Sequence, residues 1–232
     1  MMKFKSLAVI ALSLFIGACS TDRSDKSDRS DMSRASTESK VITADMQFSA
    51  TAYDDVVATV RSTLMDTYPE LRDLITDSRP SYGVLLVTQE KSADAVDAII
   101  GRANSDGFIP ADFRVAPEYS ASTTDGEVRY MSYYLIHNPS DFIPSEPVTA
   151  SESRHDGHTA IDLQFTGKDI DDWTTVTRRH IGKQLAIIVN GRVVCAPFIQ
   201  SEITGGKAQI TGLFDHEFYE TLTKTGRKTG AR

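Results

Sequence analysis

The chain has 232 residues, 40% of them hydrophobic and 25% charged, with 14 Gly and 8 Pro; this excludes a collagen-like or multi-pass membrane chain and fits one or two globular domains. Its 25 basic and 32 acidic residues give a net charge of −7 with a single Trp, which argues against a nucleic-acid surface of clustered Lys and Arg. The length is sufficient to bury a core.

Lys3 and Lys5 precede an apolar run over residues 7–16, interrupted only by Ser13. A run this short does not cross a hydrocarbon layer of about 30 Å, so it reads as the apolar region of a secretory signal. The run ends in Ile16-Gly17-Ala18-Cys19, which resembles the lipobox of bacterial lipoproteins. That resemblance implies a signal peptide over residues 1–18 and Cys19 as the acylated, palmitate-bearing mature N-terminus. Acyl chains contribute roughly 0.8 kcal/mol per buried methylene, enough together to hold a protein on a bilayer it does not span. Ser20 rather than Asp follows Cys19; by resemblance to the enteric sorting rule this favours the outer membrane over the inner. The expected location is therefore the bacterial envelope, facing the periplasm. The simpler alternatives are an ordinary secretory signal cleaved near Ala18 and an N-terminal core helix.

Residues 20–40 repeat Arg-Ser-Asp and Lys-Ser-Asp units, with Met32 and Ala35 as their only apolar side chains. Such a segment has no core to bury, so residues 19–40 are read as a tether with a span of about 25 Å. If Cys19 carries lipid, Cys195 has no intramolecular partner, and stability must come from packing. Cys195 lies in Val193-Val194-Cys195-Ala196, where a buried structural thiol is expected rather than a nucleophile.

Residues 41–150 hold 17 acidic and 7 basic side chains, whereas residues 151–232 hold 10 and 11. That contrast predicts two subdomains with these boundaries. In the first, Ala52, Val56, Val57, Val60 and Leu64 share one helical face, and Ala93, Val96, Ile99, Ile100 and Ala103 share another. Runs over residues 82–88 and 128–136 read as strands. Asp106-Gly107 and Asp125-Gly126 read as turns, and Pro139, Pro144 and Pro147 mark the passage onward.

In the second subdomain, Ile161, Leu163 and Phe165 alternate with Asp162 and Gln164, the pattern of a strand with one buried face. A helix is predicted over residues 168–181, with Ile170, Trp173 and Val176 inward, acidic residues in its first turn and basic ones in its last. Gly182 is its expected stop. Residues 185–189 and 192–195 flank Asn190-Gly191, a strong signal for a type I′ hairpin. Pro197 ends that strand. A short strand over residues 208–211 lies between the turn glycines Gly205, Gly206 and Gly212, and a last helix spans residues 215–223. The predicted class is α+β: small antiparallel or mixed sheets with amphipathic helices packed on one face.

The stretches Leu163-Gln164-Phe165-Thr166, Ile181-Gly182-Lys183, Leu185-Ala186-Ile187, Asn190-Gly191-Arg192-Val193, Ala196-Pro197, Ile203-Thr204-Gly205-Gly206 and Gln209-Ile210-Thr211-Gly212 resemble the head of the first periplasmic domain of the translocase subunit SecD and of the fused SecDF. The resemblance covers about seventy residues, with Cys195 where Ser is usual. It implies a module that contacts unfolded polypeptide, with exposed hairpin edges and apolar grooves suited to strand addition. In that family, membrane helices carrying the proton-coupling residues follow the head. The chain has no apolar run after residue 223, its last residues being Gly226-Arg227-Lys228-Thr229-Gly230-Ala231-Arg232. Proton-driven motor activity is therefore not carried over. The basic residues Arg227, Lys228 and Arg232 read as a solvated terminus.

Catalytic patterns are incomplete. His155-Asp156-Gly157-His158 offers a corner of a metal site without a second ligand cluster in sequence. His216-Glu217-Phe218-Tyr219-Glu220 has Glu220 where a zinc protease needs its second His. Phosphate-binding glycine loops and nucleophile elbows are missing. The leading reading is a non-enzymatic envelope lipoprotein that binds protein or unfolded polypeptide in export or envelope assembly, with no metal, cofactor, nucleotide or nucleic acid. Two alternatives stay open: a single-partner adaptor or inhibitor docking through the acidic first subdomain, and an envelope enzyme using His155, Asp156 and His158.

Overall fold

A computed structural model describes residues 38–76, 82–119, 122–124, 128–155, 158–211 and 216–224. In chain order the elements are β1 (Lys40–Val41), β2 (Met46–Ala50), α1 (Asp54–Thr67), α2 (Leu71–Leu74), β3 (Val84–Gln89), a 3-10 turn (Glu90–Ser92), α3 (Ala93–Ser105), β4 (Phe113–Pro117), β5 (Ser122–Thr124), β6 (Val128–His137), β7 (Thr149–His155), β8 (His158–Gln164), α4 (Asp169–Arg179), β9 (Leu185–Val189), β10 (Arg192–Cys195), β11 (Lys207–Thr211) and α5 (His216–Thr223). The fold is α+β. Its sheets run β1-β7-β8-β11, β10-β9-β2 and β3-β6-β4 with β5 beside β6, and the ladders between these strands are antiparallel.

Alternation along the strands explains how the sheets stack. In β9, Leu185, Ile187 and Val189 enter one core while Ala186 and Ile188 enter another, so all five side chains are buried. A strand covered on both faces loses the polar alternation that marks a half-exposed one. β6 behaves alike: Met131, Tyr133 and Leu135 face the helices, whereas Ile136 faces the seam shared with β9. Two bridges, Thr51 with Ile136 and Glu118 with Val193, join the β10-β9-β2 sheet to β6 and to the chain just past β4. The strands β10, β9, β2, β6 and β4 thus close into a ring around Ala116, Ile136, Ala186, Ile188 and Val193. Small side chains let the two sheets approach; Ser49, opposite Ala186, is fully buried there with no hydrogen-bond partner for its hydroxyl among the described residues.

The helical layer covers the outer face of β3 and β6. Val57, Val60 and Leu64 of α1, Leu71 of α2, and Val96, Ile99 and Ala103 of α3 form its core, the faces expected from helical periodicity. On the other side of β9, Phe48, Phe142, Phe165 and Trp173 pack ring to ring, with centroids 4.9–5.9 Å apart, the separation at which tilted and edge-on aromatic pairs attract. Phe48 comes from β2, a strand not expected from the sequence reading above, although Met46, Phe48 and Ala50 alternate with Gln47 and Ser49. β4 is a second such strand. Both strands are five residues long and gain their pairing from segments distant in sequence.

Truncating the hub of the aromatic cluster is the direct test of this architecture. Phe48→Ala should lower unfolding free energy by about 3–5 kcal/mol in urea denaturation, while Arg178→Ala, which breaks an exposed pair with Glu202, should change it by less than about 1 kcal/mol.

Candidate functional site

β11 lies at one edge of its sheet, paired with β8 alone. Phe165 donates its amide to Gly206 O at 2.7 Å, so the antiparallel alternation turns the backbone groups of Ala208 and Ile210 toward β8 and those of Lys207, Gln209 and Thr211 outward. Lys207 O accepts from Trp173 Nε1 at 3.2 Å. Gln209 and Thr211 have no outward backbone hydrogen bond among the described residues. Against this edge lies an apolar crevice lined by Trp173, Leu185, Ile187, Pro197, Ile199 and Ile203, with Ala208 and Gln209 of β11 completing it. Its free space is about 10 Å³, close to the least that holds one water, so a side chain enters only if the 197–203 segment moves. Thr177 Oγ1 anchors that segment by accepting the Ile203 amide at 2.9 Å.

The residues singled out from sequence fall mainly around this region. Gly205 and Gly206 have φ of 77° and 66° and lead into β11. A Cβ on Gly206 would lie 2.8 Å from Ile170 Cγ1 and 3.1 Å from Phe165 O, so only glycine fits the turn that holds β11 against α4. Gly182 has φ 76° just beyond α4. Pro197 follows β10 and its carbonyl accepts the Leu185 amide. Asn190 and Gly191 both have positive φ between the paired residues Val189 and Arg192. The hairpin they close does not present the open edge expected of it: β9 is paired on both sides, and β10 gives Val193 O to the Tyr119 amide at 2.7 Å. Cys19, Gly212, Asp125-Gly126, Asp156, Gly157, Arg227, Lys228 and Arg232 lie outside the described residues. His155 and His158 pair across the β7–β8 turn.

Buried ionisable groups elsewhere act as fasteners. Asp169, 1% exposed, accepts the Ser145 amide, the Ser145 hydroxyl and the Glu146 amide at 2.7–2.8 Å, tying the start of α4 to the loop before β7. Burial pushes the Cys195 thiol up to about 12, which removes the thiolate a nucleophile needs. Burial also raises the Glu118 carboxyl, against the Ser132 amide it accepts. Among the described residues no group of three or more His, Cys, Asp or Glu side chains is arranged to hold a metal ion. A hollow of about 260 Å³ is lined by Arg61, Met65, Arg72, Ile75 and Thr76; Arg61 donates to Leu85 O and Arg72 pairs with Asp66, so both guanidinium groups are engaged within the protein.

Asp141 joins three elements. Its Oδ1 lies 3.1 Å from His180 Nε2 at the end of α4, and its Oδ2 lies 3.3 Å from His137 Nδ1 and accepts the Ala50 amide at 2.7 Å. His180 is 3% exposed, and its Nδ1 has no partner among the described residues. Burial acts to raise the Asp141 carboxyl, but the His180 hydrogen bond, the Ala50 amide and the charge of both histidines outweigh it and hold the group at about 2, below the ordinary 3.8. A depressed carboxyl stabilises the fold fully above its unfolded value and loses that contribution as pH falls through its folded value. Asp141→Asn should therefore cost roughly 2 kcal/mol at neutral pH. In pH-dependent urea melts the variant should lose less stability than the parent between about pH 4 and pH 2.

Residues 129–225 match the sequence model of the SecDF P1 head subdomain, less than half of the chain. The fused translocase subunit SecDF of Thermus thermophilus is 47% identical over 57 residues, 25% of this chain and 8% of that protein. The translocase subunit SecD of Acidaminococcus fermentans is 39% identical over 66 residues, 28% of this chain and 16% of that one. The chain thus matches less than a fifth of the length of these relatives. A solved structure described as a membrane component SecDF that enhances protein export is 18% identical, with 77% of this chain and 90% of that chain covered at a TM-score of 0.33; this overlap is too low to support a shared arrangement of the whole chain. The segment from β6 to the end of α5, which contains β11 and its crevice, is similar to the P1 head subdomain of SecDF.

Proposed function

We propose that the protein is a bacterial envelope lipoprotein whose folded part binds extended polypeptide by adding a strand to β11, in support of protein export or envelope assembly. The observation that carries this reading is the outward edge at Gln209 and Thr211, beside an apolar crevice and within the segment similar to the SecDF head. Strand addition draws affinity from main-chain hydrogen bonds and selectivity from pockets for alternate side chains; β11 supplies the outward edge, and the crevice beside it takes a side chain once the 197–203 segment moves. The relatives named protein translocase subunits support a role in export. No helix among the described residues is long and apolar enough to cross a membrane; on this reading the membrane attachment is the acylated Cys19, the signal peptide spans residues 1–18 and residues 19–40 are the tether. The protein acts without catalysis, metal or proton-driven motor activity. The acidic segment 41–150 and the segment 151–232 are its two subdomains, sharing the core around Phe48 and β9.

Gln209→Pro tests the strand-addition step. The Gln209 amide points away from β8, so proline removes an outward donor without breaking the ladder, the one setting where a strand tolerates it. Binding of a labelled, extended peptide, followed by fluorescence anisotropy, should weaken at least about tenfold while the melting temperature stays within a few degrees of the parent; unchanged affinity would sink the proposal. Attachment is tested separately: Cys19→Ala should shift the chain from the membrane to the soluble fraction of lysed cells, and retention on membranes equal to wild type would refute the anchor.

A further inference from the structure

The segment that walls the crevice beside β11 is held in two different ways along its length. Residues 197–199 are fixed by backbone bonds: Pro197 O accepts the Leu185 amide at 3.0 Å, Ile199 O accepts the Gly182 amide at 2.7 Å, and the Ile199 amide donates to Lys183 O at 2.9 Å. Residues 200–205 belong to no helix or strand, and the hydrogen bonds that hold Glu202, Ile203 and Gly205 run to side chains. Thr177 Oγ1 accepts the Ile203 amide at 2.9 Å, and Thr174 Oγ1 donates to Ile203 O at 3.2 Å. Arg178 Nε donates to Glu202 Oε2 at 2.6 Å, and Gln164 Nε2 donates to Gly205 O at 3.2 Å. Thr174, Thr177 and Arg178 share one face of α4, so three of these four ties come from a single helix.

Within this stretch Gln200, Glu202, Thr204 and Gly205 are exposed, whereas Ile203 is buried and lines the crevice. Its surroundings include Trp173, Leu185 and Ile187. The polar groups at the wall are engaged: Trp173 Nε1 donates to Lys207 O, and Gln209 Nε2 donates to Asp162 Oδ1 at 2.6 Å. A polar side chain entering there loses its water without a donor in exchange, so an aliphatic one is favoured. With about 10 Å³ free, a second side chain and Ile203 cannot both be inside. Gly205 is the pivot at the end next to β11, since it has φ 77° and nothing stands within 4 Å of where its Cβ would be. Gly206, wedged against Ile170 and Phe165 O, stays with β11.

We propose that residues 200–205 are a gate with Ile203 as its plug: when an extended polypeptide adds to β11, the gate swings about Gly205 and an aliphatic side chain of the polypeptide takes the place of Ile203 against Trp173, Leu185 and Ile187. This rests on the polypeptide-binding reading above. The Thr177 hydroxyl is the latch. It is buried, donates to Trp173 O at 3.0 Å and accepts the Ile203 amide only when the gate is shut.

Thr177→Val keeps the shape of the side chain and removes that acceptor. The shut state then carries a buried, unpaired amide, whereas the open state gives the same amide to water. Apparent affinity rises with the open fraction. In anisotropy titrations of the full chain, Thr177→Val should strengthen binding of a synthetic extended peptide centred on Ile at least about threefold. It should leave the affinity for the same peptide with Ile replaced by Ser unchanged, because that strand adds with the gate shut. Hydrogen exchange read by NMR needs no variant. The Ile203 amide should exchange at least about tenfold faster than the amides of β9, and saturation with the Ile peptide, but not the Ser peptide, should speed it further. Binding of the Ile peptide that Thr177→Val leaves unchanged or weakens, or slower Ile203 exchange in its presence, would overturn the gate. Failure of strand addition shows differently, as a parent chain that binds neither peptide.

Discussion

The burial of β9 on both faces is the constraint on which the rest of the molecule depends. Leu185, Ile187 and Val189 complete the aromatic core with Phe48, Phe165 and Trp173, while Ala186 and Ile188 fill the seam against β4 and β6. A strand in that position needs a partner on each edge, since unpaired backbone groups inside a core cost about as much as a lost hydrogen bond. β10 satisfies one edge through the Asn190-Gly191 turn. The other edge is satisfied by β2, which lies 135 or more residues earlier in the chain (Leu185 pairs with Ala50). This long-range ladder places Phe48 against Phe142, Phe165 and Trp173 in the aromatic cluster.

That arrangement also decides which backbone groups stay inside the fold. With β9 paired on both sides and β10 bonded to Tyr119, Gln209 and Thr211 on β11 turn backbone groups outward with no backbone partner among the described residues. The same closure brings Thr51, just past β2, against Gly83, beside the turn where Tyr82 stands edge-on to Phe198. Buried polar groups serve the scaffold: Asp141 joins β2 to the end of α4, and Asp169 joins its beginning to the loop before β7. Both carboxylates are satisfied by several donors, which is the condition for a buried acid to add rigidity. Cys195, with a thiol pushed up by burial, takes no part in such bonding and remains a packing residue.

The segment similar to the SecDF head does not close its own core. Residues 129–225 supply Phe142, Phe165 and Trp173, but Met46 and Phe48 enter from before that segment. The helical layer of α1, α2 and α3 likewise covers β6 from outside it. The N-terminal half is thus part of the same folded body, with Asp54, Asp55, Asp66, Asp73, Asp94 and Asp97 exposed on its helices.

The helices α1, α3 and α4, the strands β3, β6 and β8 and the Asn190-Gly191 hairpin were legible from the sequence by itself, because each is specified by local alternation, periodicity or turn chemistry within a dozen or so residues. The resemblance across residues 163–212 was legible for the same reason: it is carried by turn glycines and strand patterns at fixed spacing. Tertiary structure alone decided that β2 pairs with β9, that β10 is covered by Tyr119 and that Tyr82 meets Phe198. These contacts join residues dozens to well over a hundred positions apart, and short strands such as Met46–Ala50 carry too few side chains to announce a partner. Their pairing follows from which edges and faces the rest of the chain leaves to be buried, a property of the assembled fold and of no single segment.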